Sequence, residues 1–344
     1  MTGVGIIGAG PGVAALHLPT LARLGDRFRV VHISDAGSGR AAALAETNDA
    51  ATSHGHESVL ADPAVDVVVI TSPPHLHAAQ VLAAIQAGAR GILCEKPLAL
   101  TTDDADAVVD AAQKAGVALV VGTNHLFDPA WGTAKHHVAQ GGRVRTISVV
   151  AALPPNTRYH EVVTDPAPAS PSRPAPDLGD ADVRAGIVRQ LVLGLLVHDL
   201  PLIRDLAPGA PEVVSARLVA APIGCAVGFR VGDVLVHMTA ALLSEGAEAL
   251  WRMAVTTTTD QFEIDFPPSF VHGGSARVRA LGDGTRETVY AQQPEDGYVA
   301  EWRALAAALD GREPVDYDDL RADAHFAIAV ADGAAALMRG DVQA

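Results

Sequence analysis

The junction that most limits the fold of this chain lies near its start, where Gly8-Ala9-Gly10 separates an apolar run from a segment of helical periodicity. Val4–Ile7 reads as a short strand, and Leu16–Leu24 spaces its apolar residues as a helix packed on a sheet does. Glycines at such a strand-to-helix turn allow a sharp reversal and let a pyrophosphate approach the amides that open the helix. In the usual G-x-G-x-x-G spacing the third glycine falls on Val13, whereas Gly12 comes one place early, so the turn is one residue longer or differently closed. Gly8, Gly10, Pro11, Gly12 and Val13 are therefore candidate dinucleotide-binding residues; the plainer alternative is a turn and nothing more.

The same alternation continues. Short β-rich runs at Val4–Ile7, Arg29–Ile33, Val65–Thr71, Gly91–Cys94 and Ala118–Val121 enclose helical segments at Leu16–Leu24, Gly39–Glu46, Leu76–Ala87 and Asp103–Ala115. Strands and helices in that order predict a parallel, doubly wound sheet, whose ligands bind at the carboxyl ends of its strands. Asp35 ends the second run, 27 residues after Gly8, where a carboxylate accepts both adenosine ribose hydroxyls and repels a 2′-phosphate. Because Ala36 follows rather than Arg or Lys, NAD is expected over NADP; a turn or helix-capping role is the alternative.

The fourth run ends unexpectedly, on Glu95-Lys96-Pro97. An ammonium in a partly dry cleft stabilises a developing alkoxide, and burial lowers its pKa from about 10.4 towards working pH. A surface ion pair before a turn is the other reading, and it leaves the neighbouring motifs unexplained.

Beyond residue 122 the pattern changes. Candidate strands at Val144–Val150, Val213–Ala220, Ala226–Val231, Asp233–Ala240 and Phe262–Phe266 predict a largely antiparallel sheet, with Leu191–Leu206 as a helix on it. Pro154–Pro176 is a proline-rich loop, a flap or a disordered insertion, and Tyr298–Leu309 and Leu320–Met338 read as two closing helices. The expected class is α/β, with a Rossmann domain over 1–122 and an α/β domain on an open, mostly antiparallel sheet over 123–344. The final helices are free to pack on the first domain.

With 25 Lys plus Arg against 40 Asp plus Glu, the net charge of −15 disfavours a nucleic-acid partner and anionic membrane surfaces. Two cysteines, Cys94 and Cys225, both in apolar stretches, fit a reducing compartment, and no basic leader precedes Val4; a cytoplasmic location is expected. His136-His137 and Asp316-Tyr317-Asp318-Asp319 lack ligand spacing, so no metal is expected.

The glycine turn, Asp35, "TSPPHLH" (71–77), "CEKP" (94–97) and "VGTNHLFDP" (121–129), in that order, resemble the glucose-fructose oxidoreductase/inositol dehydrogenase family, Gfo/Idh/MocA. The resemblance is close over the first 135 residues and looser over "VHDLPLIRDL" (197–206) and "FEIDFPPS" (262–269). It implies that Lys96 lies beside the nicotinamide and donates to the reacting oxygen, that Glu95 lies near the nicotinamide ribose, and that Thr71, Ser72 and Pro73 wall the cofactor. Pro97 then bends the chain off the strand, with a cis bond as one means of doing so. His77 matches a family histidine whose role is either helix packing or cofactor contact. Asn124 matches the polar residue of the family's N-x-R-F-like segment, although Leu126 stands where arginine is frequent.

One departure matters more. The family's helix carries an Asp and, four residues later, a His converging on substrate; here His198 is kept and Gly194 stands in the Asp position. His198 remains the candidate general acid or base, with a satisfied core histidine as the alternative. Asp199 is adjacent in a helix and points elsewhere, so it is not a simple replacement. Tyr159, His160 and Glu161 of the insertion are further suppliers of a polar group, and Tyr159, Asn124 and Gly194 join Lys96 and His198 as candidate substrate contacts.

The expected activity is hydride transfer between NAD and a secondary alcohol or ketone of a sugar, cyclitol or related polar metabolite. Two alternatives stand beside it: an enzyme that retains NAD for transient oxidation, and a cofactor-binding regulator that has lost catalysis. An open second sheet leaves an apolar face to be covered, so a homodimer or homotetramer is expected.

Overall fold

The computed structural model describes residues 1–155, 176–220, 223–268, 271–282 and 284–341, which form two compact units. Met1–Gly122 and Tyr298–Ala324 belong to the first; the described residues between Thr123 and Gly297, and from His325 on, belong to the second.

The first unit is a six-stranded parallel sheet in the order β3-β2-β1-β4-β5-β6. Its strands are β1 Thr2–Ile7, β2 Phe28–Asp35, β3 Ala51–His54, β4 Val67–Ile70, β5 Gly91–Glu95 and β6 Ala118–Gly122. The central strands are apolar along their whole length because helices cover both faces; β4 (VVVI) is fully buried. Chain direction through the sheet reverses between β1 and β4, which leaves a crevice at their carboxyl ends. The helices are α1 Leu18–Arg23, α2 Arg40–Asn48, α3 Glu57–Ala61, α4 His77–Gln86 and α5 Thr102–Ala115. Thr101 caps α5 by accepting from the Asp104 N–H, and Gly116 closes it in the left-handed conformation.

Edge strand β3 and helix α3 escape the expected pattern, since "ATSH" is mostly exposed and offers no apolar alternation. Two later helices, α9 Gly297–Leu309 and α10 Tyr317–Arg339, contribute residues to this unit. Trp302 is fully buried edge-on to Phe28, with ring centroids 5.1 Å apart, and the Tyr317 hydroxyl donates to the Val117 carbonyl at 2.8 Å.

The second unit is an eight-stranded sheet in the order β14-β13-β12-β11-β7-β10-β9-β8, antiparallel except for β7 against β10. Its strands are β7 Val144–Leu153, β8 Glu212–Ala220, β9 Ile223–Val231, β10 Val234–Leu242, β11 Leu250–Thr257, β12 Asp260–Asp265, β13 Arg277–Gly282 and β14 Arg286–Tyr290. One face is core, with Ile147, Val149, Phe229, Met238, Trp251, Met253 and Phe262 buried. The helices are α6 Pro129–Gln140, α7 Ala181–Gly194 and α8 Leu200–Leu206.

The expected single helix Leu191–Leu206 does not form. Helix α7 ends at Gly194, Leu195 leaves helical geometry (φ −124°, ψ −59°), Leu196–His198 is a short 3₁₀ turn, and α8 starts anew with Pro201 in its first turn at a bend of 65°. A proline lacks the N–H that would bond the preceding turn, and a glycine weakens the helix just before it. Positions 194 and 198 therefore do not share one helix face. Among the described residues no single helix is long and apolar enough to cross a membrane.

Candidate cofactor and substrate sites

In the first unit the crevice is built from the ends of β1, β2, β4 and β5. Gly8 leaves β1 with φ +109°, a region closed to residues with a Cβ, and its N–H donates to the Ser34 carbonyl at 2.9 Å. Thr71, just past β4, donates its hydroxyl to the carbonyls of Ile7 (3.1 Å) and Gly8 (3.2 Å) and so braces the turn. A Cβ on Gly10 would meet nothing within 4 Å. This opening, beside amides that begin a helix, fits the approach of a pyrophosphate.

The displaced glycine has a structural counterpart. Pro11 and Gly12 are already helical, and Val13–His17 forms a π-helical turn before α1. A π turn holds one residue more than an α turn, and Pro19, which offers no N–H and crowds the carbonyl four residues back, favours the wider winding. Its last residue, His17, is buried, with Nε2 3.0 Å from Glu95 Oε1. The sequence reading missed His17; the available signal was one histidine in an apolar helical stretch two residues before a proline.

Asp35 sits at the end of β2 with its carboxylate fully engaged. Oδ1 accepts from Gly37 N–H (2.7 Å), and Oδ2 from the Ser38 hydroxyl (2.7 Å) and Ala41 N–H (3.0 Å). Burial alone would raise its pKa, but these donors hold it down at about 2. The carboxylate thus organises the turn into α2, as the capping alternative describes, while remaining at the strand end where a ribose is read.

Glu95 ends β5 and Lys96 follows it, each half-buried, and the Lys96–Pro97 bond is cis. Burial pushes the Glu95 carboxyl up, but the His17 hydrogen bond and the charges of His17, Lys96 and His77 leave it below its ordinary value. Burial lowers the Lys96 ammonium below 10.5, with Glu95 opposing. His77 is buried at the start of α4, with Nδ1 2.8 Å from the Pro97 carbonyl and Nε2 2.8 Å from the Ser72 carbonyl. It therefore ties the loop after β4 to the segment after β5. Ser72 also places its hydroxyl 2.5 Å from Gln80 Oε1, and Pro73 precedes a 3₁₀ turn over Pro74–Leu76.

In the second unit Thr123, Asn124 and His125 are buried in a turn that Asp128 ends by capping α6. The Asp128 carboxylate accepts from Ala130 (2.8 Å), Trp131 (3.3 Å) and Ala276 (2.8 Å) N–H groups; its burial outweighs them and raises its pKa. Asp199 is fully buried, with Oδ1 2.9 Å from His125 Nδ1, while Oδ2 accepts from Trp251 Nε1–H at 2.7 Å. His198 is buried with its ring centroid 5.4 Å from that of His125 and 5.3 Å from that of Trp251. A Cβ on Gly194 would meet nothing within 4 Å. His125 and its link to Asp199 were not foreseen, because residues 74 positions apart carry no local pattern. Tyr159, His160 and Glu161 lie outside the described residues, as does most of Pro154–Pro176. No group of three metal-ligating side chains occurs among the described residues.

Residues 2–123 match the Gfo/Idh/MocA model, described as an oxidoreductase family with an NAD-binding Rossmann fold. An inositol 2-dehydrogenase of Saccharopolyspora erythraea is 36% identical over 215 residues, 62% of this chain and 55% of that one, so the chain spans about half the length of that relative. An inositol 2-dehydrogenase of Rubrobacter xylanophilus is 27% identical over 98% of this chain and 90% of its own. Among solved structures, KijD10, a 3-ketoreductase from Actinomadura kijaniata in complex with NADP and TDP-benzene, superposes with a TM-score of 0.75. It is 20% identical, over 96% of this chain and 97% of that one, a likeness of fold.

Proposed function

Because residues 2–123 match the Gfo/Idh/MocA oxidoreductase model, we propose that the chain is an NAD-dependent oxidoreductase of that family acting on a secondary alcohol or ketone of a sugar, cyclitol or related polar metabolite. The observation that carries this reading is the half-buried Glu95-Lys96 pair at the carboxyl end of β5, in the same unit as the open glycine turn.

The glycine turn, Asp35, Thr71-Ser72-Pro73 and Glu95 would hold the dinucleotide, and when bound its nicotinamide accepts or returns the hydride. In the oxidation direction the C–H pair leaves as hydride and the O–H proton passes to a base. Lys96 donates to the substrate oxygen and stabilises the negative charge that grows there. Its lowered pKa suits proton exchange nearer neutrality than an ordinary lysine allows. His198 is the candidate proton-handling group of the second unit.

Asp35 favours NAD, since a 2′-phosphate at the end of β2 would meet an ionised carboxylate. NADH is expected to bind at least about tenfold tighter than NADPH, roughly 1.4 kcal/mol, in a fluorescence titration. Equal or tighter NADPH binding overturns the preference. Gly194 favours a second reading, in which retained NAD oxidises substrate transiently for epimerisation, elimination or bond cleavage; NAD released from the purified protein by denaturing extraction would support it.

For assembly, we propose a homodimer or homotetramer through the outer face of the eight-stranded sheet, where Leu235 of β10, Leu250 of β11 and Val289 of β14 are exposed. Sedimentation at micromolar concentration is expected to give a dimer or tetramer, and a monomer contradicts it. The substrate is a small polar metabolite, and the location proposed is cytoplasmic.

A further inference from the structure

We infer that His125, oriented by Asp199, is a positioning residue that acts through His198, the two imidazoles forming a proton relay in the second unit. The inference rests on the dehydrogenase reading above and supplies what Gly194 leaves out.

A tryptophan N–H only donates, so Asp199 Oδ2 is an acceptor towards Trp251 Nε1–H. The other oxygen faces His125 Nδ1 at 2.9 Å and takes the Nδ1–H. This fixes the tautomer of the neutral ring and leaves the lone pair on Nε2, the way a carboxylate prepares a histidine to exchange protons. The ring is also held in plane: Phe266 stacks on it at 3.8 Å and 8°, and Trp251 meets it edge-on at 4.6 Å. His198 stands edge-on to the same indole, 5.4 Å from His125 between centroids. At that separation the two rings are neighbours in one buried cluster, within reach of a single bridging hydrogen-bond partner.

A wholly structural network explains this cluster less well. Burying the Asp199 carboxylate carries a desolvation cost that apolar residues of similar volume would avoid. Next to His125 along the chain, Asn124 Oδ1 is buried and has no hydrogen-bond partner among the described residues, an acceptor suited to a ligand's hydroxyl or amide. At the end of α7, where the family places its carboxylate, the space around Gly194 is open. Among the described residues, Asp199, His198 and Asp128 are titratable groups that face His125, the last through its charge.

The test is ¹⁵N NMR of the full-length, histidine-labelled protein, with His125 assigned by its loss in His125→Gln. Wild type is expected to show the Nδ1–H tautomer for His125, loss of that preference in Asp199→Asn, and ring ¹⁵N shifts of His125 Nε2 that change in His198→Asn. An Nε2–H tautomer, or a His125 ring signal indifferent to His198, overturns the relay. In an NAD-linked assay, His125→Gln is expected to lower kcat by about 10–100-fold and alter the pH profile, with NADH affinity unchanged. A wild-type profile in that variant overturns the relay while the dehydrogenase reading stands. If the wild type shows no NAD-linked turnover the dehydrogenase reading fails, and the NMR result decides the pairing of the two rings on its own.

Discussion

Lys96→Ala is expected to lower turnover by about a thousandfold while NADH affinity changes by no more than about threefold. The asymmetry follows from where the charge is needed. Substrate and alkoxide differ by the charge that develops on oxygen, so a cation at the end of β5 contributes most in the transition state and little to dinucleotide binding. In wild type the rate should fall as pH rises through the lowered pKa of Lys96, because the ammonium is the donor and its loss removes the hydrogen bond. That basic limb should lie below 10.5. Lys96→Ala should lack the limb, and Lys96→Arg should shift it out of range, since guanidinium stays protonated. Steady-state pH profiles check both. Loss of NADH binding in parallel with turnover would mean that Lys96 serves the cofactor and not the reaction.

Gly8→Ala should destabilise the protein by roughly 2–4 kcal/mol, a fall in Tm of about 3–6 °C. Two penalties combine. At φ +109° an L side chain is strained wherever it points, and the added Cβ would lie 2.9 Å from both the Thr71 carbonyl carbon and oxygen. Those are backbone atoms at the end of β4 and cannot swing aside. Gly10→Ala is the contrasting variant. Its Cβ meets no protein atom within 4 Å, so thermal stability should stay near wild type while NADH affinity falls at least about tenfold, the methyl group occupying the pyrophosphate's space. Calorimetry and titration on the pair separate the two roles. Wild-type NADH binding by Gly10→Ala would contradict this use of the turn.

Legibility in the sequence varied with the range of the interactions involved. The first unit was readable because its central strands are continuously apolar and its glycine turn is local; β1 and β5 lie within two residues of the expected bounds. Edge strand β3 was not, since an exposed strand carries no burial pattern. The second sheet was legible as a class. Its strands β11 and β13 went unread because Arg252, Arg277 and Arg279 interrupt their apolar runs on the outer face, and β14 because it opens on Arg286-Glu287 and is mostly exposed. The helix expected over Leu191–Leu206 was misjudged because apolar periodicity outweighed the signals of Gly194 and Pro201.

The sites divide in the same way. Glu95, Lys96 and Asp35 were singled out as candidates because they stand at strand ends, where a doubly wound sheet binds its ligands, and the structure does put them at the ends of β5 and β2. His17 and the His125–Asp199–Trp251 cluster depend on residues brought together from separate segments. Asp199 was read from its own position as no simple replacement for the missing helix carboxylate; its tie to His125 could be seen only in three dimensions.

The most direct measurement follows coenzyme reduction by the purified protein with NAD and a panel of cyclitols and sugars, wild type beside Lys96→Ala. Reduced nicotinamide that accumulates in proportion to wild-type enzyme with at least one polyol, and about a thousandfold more slowly in Lys96→Ala, is the expected result. Equal rates in the two proteins, or no reduction by a wild type that neither binds NADH nor releases NAD on extraction, would contradict an NAD-dependent oxidoreductase acting through Lys96.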